Sequence, residues 1–223
     1  FLPGIEALRI SQDRLLEKQT AEHLGIRVPE FWPVRGLSDL NRVPDRPIVL
    51  KTTRNGYDGK GQKRLGAKSS LWQNAWRELG GEKGVIMIAE EIVSFEKEIS
   101  VIIVRNANGD TAMYLPFENT HKDGILSDTM WPAELPHKDS LVQAYDIAMK
   151  LANRLNLVGI LAVEMFVLPD GTVLFNEMAP RPHNSGHLTI ECAYTSQFAA
   201  LVHAAAGLPI GNLWPRCRDA CRM

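Results

Sequence analysis

Apolar positions along this chain change their spacing several times, and each change marks an element. Leu15, Leu16 and Leu24 recur among charged residues between Ser11 and Leu24, and Gly25 stands where a C-cap glycine belongs. That pattern predicts an amphipathic helix over Ser11 to Leu24, and Leu2-Pro3-Gly4 reads like a linker entering a helix. Ile48 to Thr52 reads as a short strand, followed by a glycine-rich run from Gly56 to Gln62, a helix near Ser70 to Leu79 and a strand from Val85 to Ala89. Glu98 to Arg105 and Thr111 to Pro116 flank Asn108-Gly109, a strong hairpin signal. Glu118 to Thr129 is a polar stretch. Leu141, Tyr145, Ala148, Met149, Ala152 and Leu155 keep a helical period, predicting a helix over Lys138 to Asn156 with one buried face. A second hairpin follows, then a helix near Ser196 to Ala206 closed by Gly207-Leu208-Pro209. Mixed order without repeats predicts an α+β fold.

Bulk properties narrow the partners. The 223 residues suffice for one large domain or two subdomains sharing a cleft. With 25 basic and 26 acidic side chains, no chain-wide field attracts nucleic acid or an anionic membrane, so a bound phosphate needs a local site. The longest apolar stretch, Val158 to Leu168, contains Glu164 and falls short of the roughly 20 residues of a membrane span. Cys192, Cys217 and Cys221 lack paired zinc-site spacing, and no signal peptide is visible, so a soluble protein of the reducing cytoplasm is expected. Phe1 in place of an initiator methionine predicts that the chain is part of a longer product.

The most informative segment is Gly159 to Pro182, two apolar strands meeting at Pro169-Asp170-Gly171-Thr172. With Asp170 and Gly171 as a two-residue loop, Pro169 faces Thr172 and Glu164 faces Glu177. Opposed like charges destabilise a sheet, and apolar neighbours such as Phe166 and Phe175 would add a desolvation cost. A cation between them resolves the conflict, and magnesium, which takes carboxylate and phosphate oxygens, suits the pair. A buried glutamate paired with Arg181, or a register one residue out, is the alternative.

Gly56, Gly59 and Gly61 would let backbone N–H groups approach a phosphate, although the run lacks the Lys-Ser/Thr ending of a Walker loop. An ordinary hairpin turn is the other reading. Lys51, on the preceding strand, could add a point charge for phosphate oxygens or be a solvated edge-strand lysine. Glu90, Glu91 and Glu98 could accept from an adenine amino group and ribose hydroxyls, or lie solvated on the surface. His121 is either a proton-transfer residue or a polar loop residue. Arg181, His183 and Asn184 leave the end of the Glu177 strand and are suited to gripping a small oxyanion, the other reading being that Pro182 and Gly186 merely break the strand.

Taken in order, Lys51 before G-Y-D-G-K-G-Q, then E-E-I-V-S-F-E-K-E-I-S, E-N-T-H-K-D-G-I-L, V-E-M-F-V and N-E-M-A-P-R-P-H-N-S-G-H resemble the 5-(carboxyamino)imidazole ribonucleotide synthetase family from about Ile10 to Leu208. The resemblance implies an ATP-grasp fold, with a lid subdomain at about 27–90, a catalytic subdomain at about 91–211 and an atypical tail at 212–223. It implies ATP and Mg²⁺ as cofactors, and phosphorylation of bicarbonate to carboxyphosphate. The carboxyl group then passes to 5-aminoimidazole ribonucleotide in purine biosynthesis.

By the same resemblance, Arg14, Lys51 and the loop Gly56, Tyr57, Asp58, Gly59, Lys60, Gly61 and Gln62 hold ATP, together with Glu90, Glu91, Ile92, Val93, Glu98, His121, Asn176 and Glu177. Glu164 and Glu177 are the implied metal ligands. Tyr57, Asp58, Lys60, Arg181, His183 and Asn184 face the ribonucleotide and bicarbonate, the last three being catalytic. A homodimer is implied too. Family members carry an N-terminal domain and a C-terminal subdomain that are missing from this sequence, so the segment alone could bind nucleotide yet turn over poorly. A glycinamide ribonucleotide transformylase or a biotin carboxylase would share the lysine and the glutamates. Tyr57-Asp58 and the Arg181 string favour the aminoimidazole enzyme. A non-catalytic nucleotide-binding module would gain by replacing one of the two opposed glutamates.

Overall fold

The computed structural model describes residues 2–56, 59–68, 70–122, 124–216 and 221–223. The helix expected over Ser11 to Leu24 is α2 (Arg14–His23), and it is preceded by a second, shorter helix, α1 (Ile5–Ser11). Asp13 breaks them apart: its side chain accepts hydrogen bonds from the amides of Leu15 and Leu16, the geometry of an N-cap.

A four-stranded antiparallel sheet follows, made of β1 (Phe31–Val34), β2 (Ile48–Thr52), β3 (Gln62–Leu65) and β4 (Met87–Glu91) in the order β1-β4-β2-β3. The helix α3 (Ser70–Glu78) buries Trp72, Ala75 and Trp76 against it. The alternating burial of β2 puts Ile48 and Leu50 into that core and turns Lys51 to the other face.

The larger sheet takes β5 (Lys97–Arg105), β6 (Thr111–Met113), β7 (Phe117–Lys122), β8 (Ile125–Trp131), β9 (Gly159–Val167), β10 (Val173–Ala179) and β11 (Cys221–Arg222). Its order is β10-β9-β5-β7-β8-β11, with β6 beside β5. The polar stretch from Glu118 to Thr129 is therefore mostly the β7–β8 hairpin. It escapes a period-two reading because much of it faces open space instead of a core. Part of the irregular tail also joins the sheet, with Cys221 opposite Trp131 and Arg222 ion-paired to Asp128.

On one face of this sheet lie α1, α2 and the long helix α4 (Lys138–Arg154), packed on Ile99, Val101, Ile103, Leu161, Val163 and Phe175. The other face carries the helix Gln197–Ala205, whose Ala200 and Ala204 cover Ile102, Val104, Ile160 and Ala162. Beyond the end of that helix the same face continues along β5 as Ser100 and Glu98, and along β9 as Glu164 and Phe166. There the sheet is open, and the strands change from aliphatic to acidic.

Candidate active site

The open end of the large sheet and the small sheet enclose a cleft of about 1420 Å³. That exceeds the roughly 300–1,000 Å³ usual for one small ligand, so the space accommodates more than one. No helix among the described residues is long and apolar enough to cross a membrane.

Glu164 and Glu177 stand opposite each other on β9 and β10, as the sequence predicts, but by a different route. The turn has three residues: the Gly171 amide donates to Leu168 O (2.9 Å) and the Leu168 amide to Thr172 O (2.8 Å), with Gly171 at φ 82°. Val173 then faces Val167, one residue out of the expected register. A bulge between Phe175 and Glu177 adds the missing residue and restores the pair. Phe175, expected beside the glutamates, lies in the opposite core.

Neither glutamate pairs with Arg181, which is exposed and donates to Pro182 O. Glu164, only 6 % exposed, meets His183 Nε2 at 3.0 Å, and Glu177 lies 3.9 Å from Arg14. A buried chain of donors orients that histidine. Thr129 donates to Asn119, Asn119 to Ser100 and Ser100 to Ser185 Oγ, which lies 2.9 Å from His183 Nδ1. Because the Ser185 amide also donates to Nδ1, the ring proton belongs on Nε2, aimed at Glu164.

Glu90 and Lys51 come from neighbouring strands of the small sheet. Glu90, 3 % exposed, receives Lys51 Nζ at 2.9 Å and has Lys18 Nζ 3.8 Å away. Burial would raise its pKa, but the two ammonium groups outweigh it and hold the carboxyl at about 2. Lys18 is itself pushed down by burial, with Glu90 opposing the shift. Glu17, beside it, is raised well above the ordinary carboxylate range by burial and by the Glu177 charge.

Glu98 Oε2 lies 2.8 Å from His121 Nδ1, a bond that raises the imidazole pKa against the opposing effect of burial. The side chains of Glu98, His121 and Glu164 offer ligand atoms within 4.8 Å of one another. Phe95 stacks on Phe166 at 4.8 Å between ring centres, forming an aromatic wall of the cleft. At the glycine run, Arg14 donates to Thr52 O and Gly56 O. A Cβ on Gly124, in the β7–β8 turn, would come within 2.9 Å of Gly59 Cα, so the two sheets approach backbone to backbone there.

A family description, "ATP-grasp domain", matches residues 19–198. This chain belongs to the ATP-grasp family. Among curated relatives, the N5-carboxyaminoimidazole ribonucleotide synthase of Bacillus subtilis is 43% identical over 216 residues, covering 95% of this chain and 56% of the relative. The crystal structure of N5-carboxyaminoimidazole ribonucleotide synthetase from Thermus thermophilus is 40% identical with a TM-score of 0.87, covering 98% of this chain and 58% of that one. The Aspergillus clavatus synthase in complex with ADP and 5-aminoimidazole ribonucleotide is 28% identical with a TM-score of 0.83, covering 96% and 57%. This chain thus spans little more than half the length of these relatives.

The cleft gathers most of the expected site residues. Arg14, Lys51, Gly56, Gly59, Lys60, Gln62, Glu90 to Val93, Glu98, His121, Glu164, Asn176, Glu177, Arg181, His183 and Asn184 all line it. Gly61 does not: with φ at 72° its carbonyl accepts from the Thr52 amide, and a Cβ there would lie 2.8 Å from Thr52 Oγ1. It serves the turn. Tyr57, Asp58, Asp123 and Cys217 lie outside the described residues. Lys51 is no edge-strand lysine, since β2 is flanked by β3 and β4, and Glu90 is no solvated carboxylate. Sequence reasoning missed Glu17, Lys18 and the Phe95–Phe166 wall. The spacing of Arg14, Lys18 and Ala21 on one helical stripe was the available signal for Lys18.

Proposed function

We propose that this chain supplies the nucleotide-binding and catalytic parts of an enzyme that uses ATP and bicarbonate to carboxylate 5-aminoimidazole ribonucleotide. The observation that carries the reading is the Glu164–Glu177 pair at the floor of a cleft roomy enough for two substrates. Hard carboxylate oxygens facing a space lined by Arg14, Lys51 and Lys60 fit a magnesium–nucleotide complex. When bound, Mg²⁺ would neutralise phosphate charge as ADP departs.

On this reading the small sheet, about 27–90, is a lid and the large sheet, about 91–211, the catalytic floor, with the nucleotide between them. Lys51 and the glycine run hold the phosphates, Glu90 to Val93 border the base, and Glu98 accepts from the ribose while His121 fixes its carboxylate. Bicarbonate oxygen attacks the γ-phosphorus, ADP leaves and carboxyphosphate forms. The exocyclic amine of the ribonucleotide then attacks the carboxyl carbon, phosphate departs, and the amine loses a proton. Arg181 and Asn184, both lining the cleft, grip the oxyanions. His183, its Nε2–H directed at Glu164, orients that carboxylate. Lys60, which lines the cleft, faces the ribonucleotide. The full enzyme is read as a cytoplasmic homodimer.

The test is phosphate release by the full-length protein with Mg-ATP, with and without bicarbonate and the ribonucleotide, beside a Glu177→Gln variant. Release that requires both substrates and disappears in the variant is expected. Release indifferent to bicarbonate would overturn the reaction, leaving a nucleotide-binding fold.

A further inference from the structure

We propose that Lys18 and Glu17 are positioning residues for Glu177, holding the free edge of β10 so that its bulge presents the carboxylate opposite Glu164. The inference rests on the cation-binding role proposed above for that pair.

Strand β10 ends the large sheet, so among the described residues one of its edges has no neighbouring strand. Without the bulge the register that starts at Val173–Val167 would continue, and Asn176 rather than Glu177 would oppose Glu164. A bulge disrupts the ladder locally and leaves the extra residue unpaired, and an edge strand has no second neighbour to fix it. Arg27 O accepts from the Phe175 amide (2.9 Å) on one side of the bulge, and helix α2 supplies the remaining partners. Lys18 Nζ donates to Phe175 O (3.3 Å) and Asn176 O (2.7 Å), and Glu17 Oε1 accepts from the Met178 amide (3.1 Å). These contacts bracket Glu177 on both sides. Lys18 and Glu17 are 2 % and 3 % exposed, so the bonds form away from competing water.

Two adjacent ionisable residues buried under a strand edge cost stability that apolar residues would not, and their backbone partners and, for Lys18, Glu90 compensate. Lys18 also reaches Glu90 at 3.8 Å, and Glu90 holds Lys51. One ammonium thus touches both the bulge that sets Glu177 and the carboxylate that holds the lysine of the small sheet. Neither Glu17 nor Lys18 needs to touch a substrate for this; they act through Glu177.

The experiment measures binding of Mn²⁺ to the ADP complex by electron paramagnetic resonance, and ADP binding without metal, in the unmodified chain and in Lys18→Met, Glu17→Leu and Glu17→Gln. Residues that orient metal ligands typically affect metal affinity by about 10- to 100-fold, so Lys18→Met and Glu17→Leu are expected to weaken Mn²⁺ by that factor, and in Glu17→Leu, which leaves the Lys18–Glu90–Lys51 contacts in place, ADP affinity without metal should change little. Glu17→Gln, whose amide oxygen still accepts from Met178, should keep most of the affinity.

Equal Mn²⁺ affinity in Lys18→Met and the unmodified chain would overturn the proposal, as would Glu17→Gln behaving like Glu17→Leu. No binding of Mn²⁺ with ADP to the unmodified chain would sink the cation-site reading itself, and the positioning role with it. Should the variants not fold, hydrogen exchange in the unmodified chain decides: the Met178 amide should exchange slowly despite its edge position, and exchange at loop rates refutes the clamp.

Discussion

Replacing Glu90 by glutamine isolates the electrostatic centre of this molecule. Glu90 is 3 % exposed and lies against both Lys51 and Lys18. A carboxyl group brought from 4.5 to about 2 against its own burial is stabilised by about 3 kcal/mol, at about 1.4 kcal/mol per pH unit. The glutamine keeps the shape and removes the charge, leaving Lys18 buried with less compensation, a change that typically costs about 3–5 kcal/mol. Glu90→Gln is therefore expected to lower the unfolding free energy by about 3 kcal/mol at neutral pH. Because the folded pKa is depressed, the carboxylate's contribution is fully present above the unfolded value of 4.5 and is lost as pH falls through about 2. The gap between the two proteins should thus close on acidification across that window. Urea unfolding at neutral pH and at several acidic values measures it, with the slope against urea checked for constancy. A neutral-pH difference below about 1 kcal/mol, or one that widens as pH falls, would refute the reasoning.

Gly61→Ala forces a side chain onto a backbone at φ 72°, with the new Cβ 2.8 Å from Thr52 Oγ1, and should cost about 1–3 kcal/mol of stability; a thermal melt within error of the parent would exclude that strain. For His121, whose pKa is raised by the Glu98 bond despite burial, the stabilising contribution is present below the ordinary histidine value of 6.5 and is lost as pH rises through the raised one. Relative to His121→Gln, the parent should lose stability across that rise, and denaturant midpoints that stay parallel through it would rule the effect out.

Local periodicity carried most of the elements. The helical stripe of α4 and the extent of β2 were legible because each faces a single core and repeats over enough residues to declare its period. The β7–β8 hairpin was not legible, since the positions it buries between Glu118 and Thr129, Asn119 and Thr129, are polar and leave no apolar alternation. Nor was helix α1, whose seven residues are too few to declare a period.

The carboxylate pair makes the same distinction within one hairpin. The sequence alone determined that two glutamates sit on two strands joined by a tight turn, and counting through a two-residue loop did bring them together. The structure reaches that pairing through a three-residue loop and a compensating bulge, two shifts of one residue that cancel. Turn residues bias a loop length locally, but a bulge persists only where something satisfies the backbone groups it frees. Here the partners are Lys18 and Glu17, about 160 residues away along the chain and adjacent only after folding. Sequence chemistry supplied the two glutamates, and the packing of α2 against an edge strand holds the bulge that sets them opposite each other.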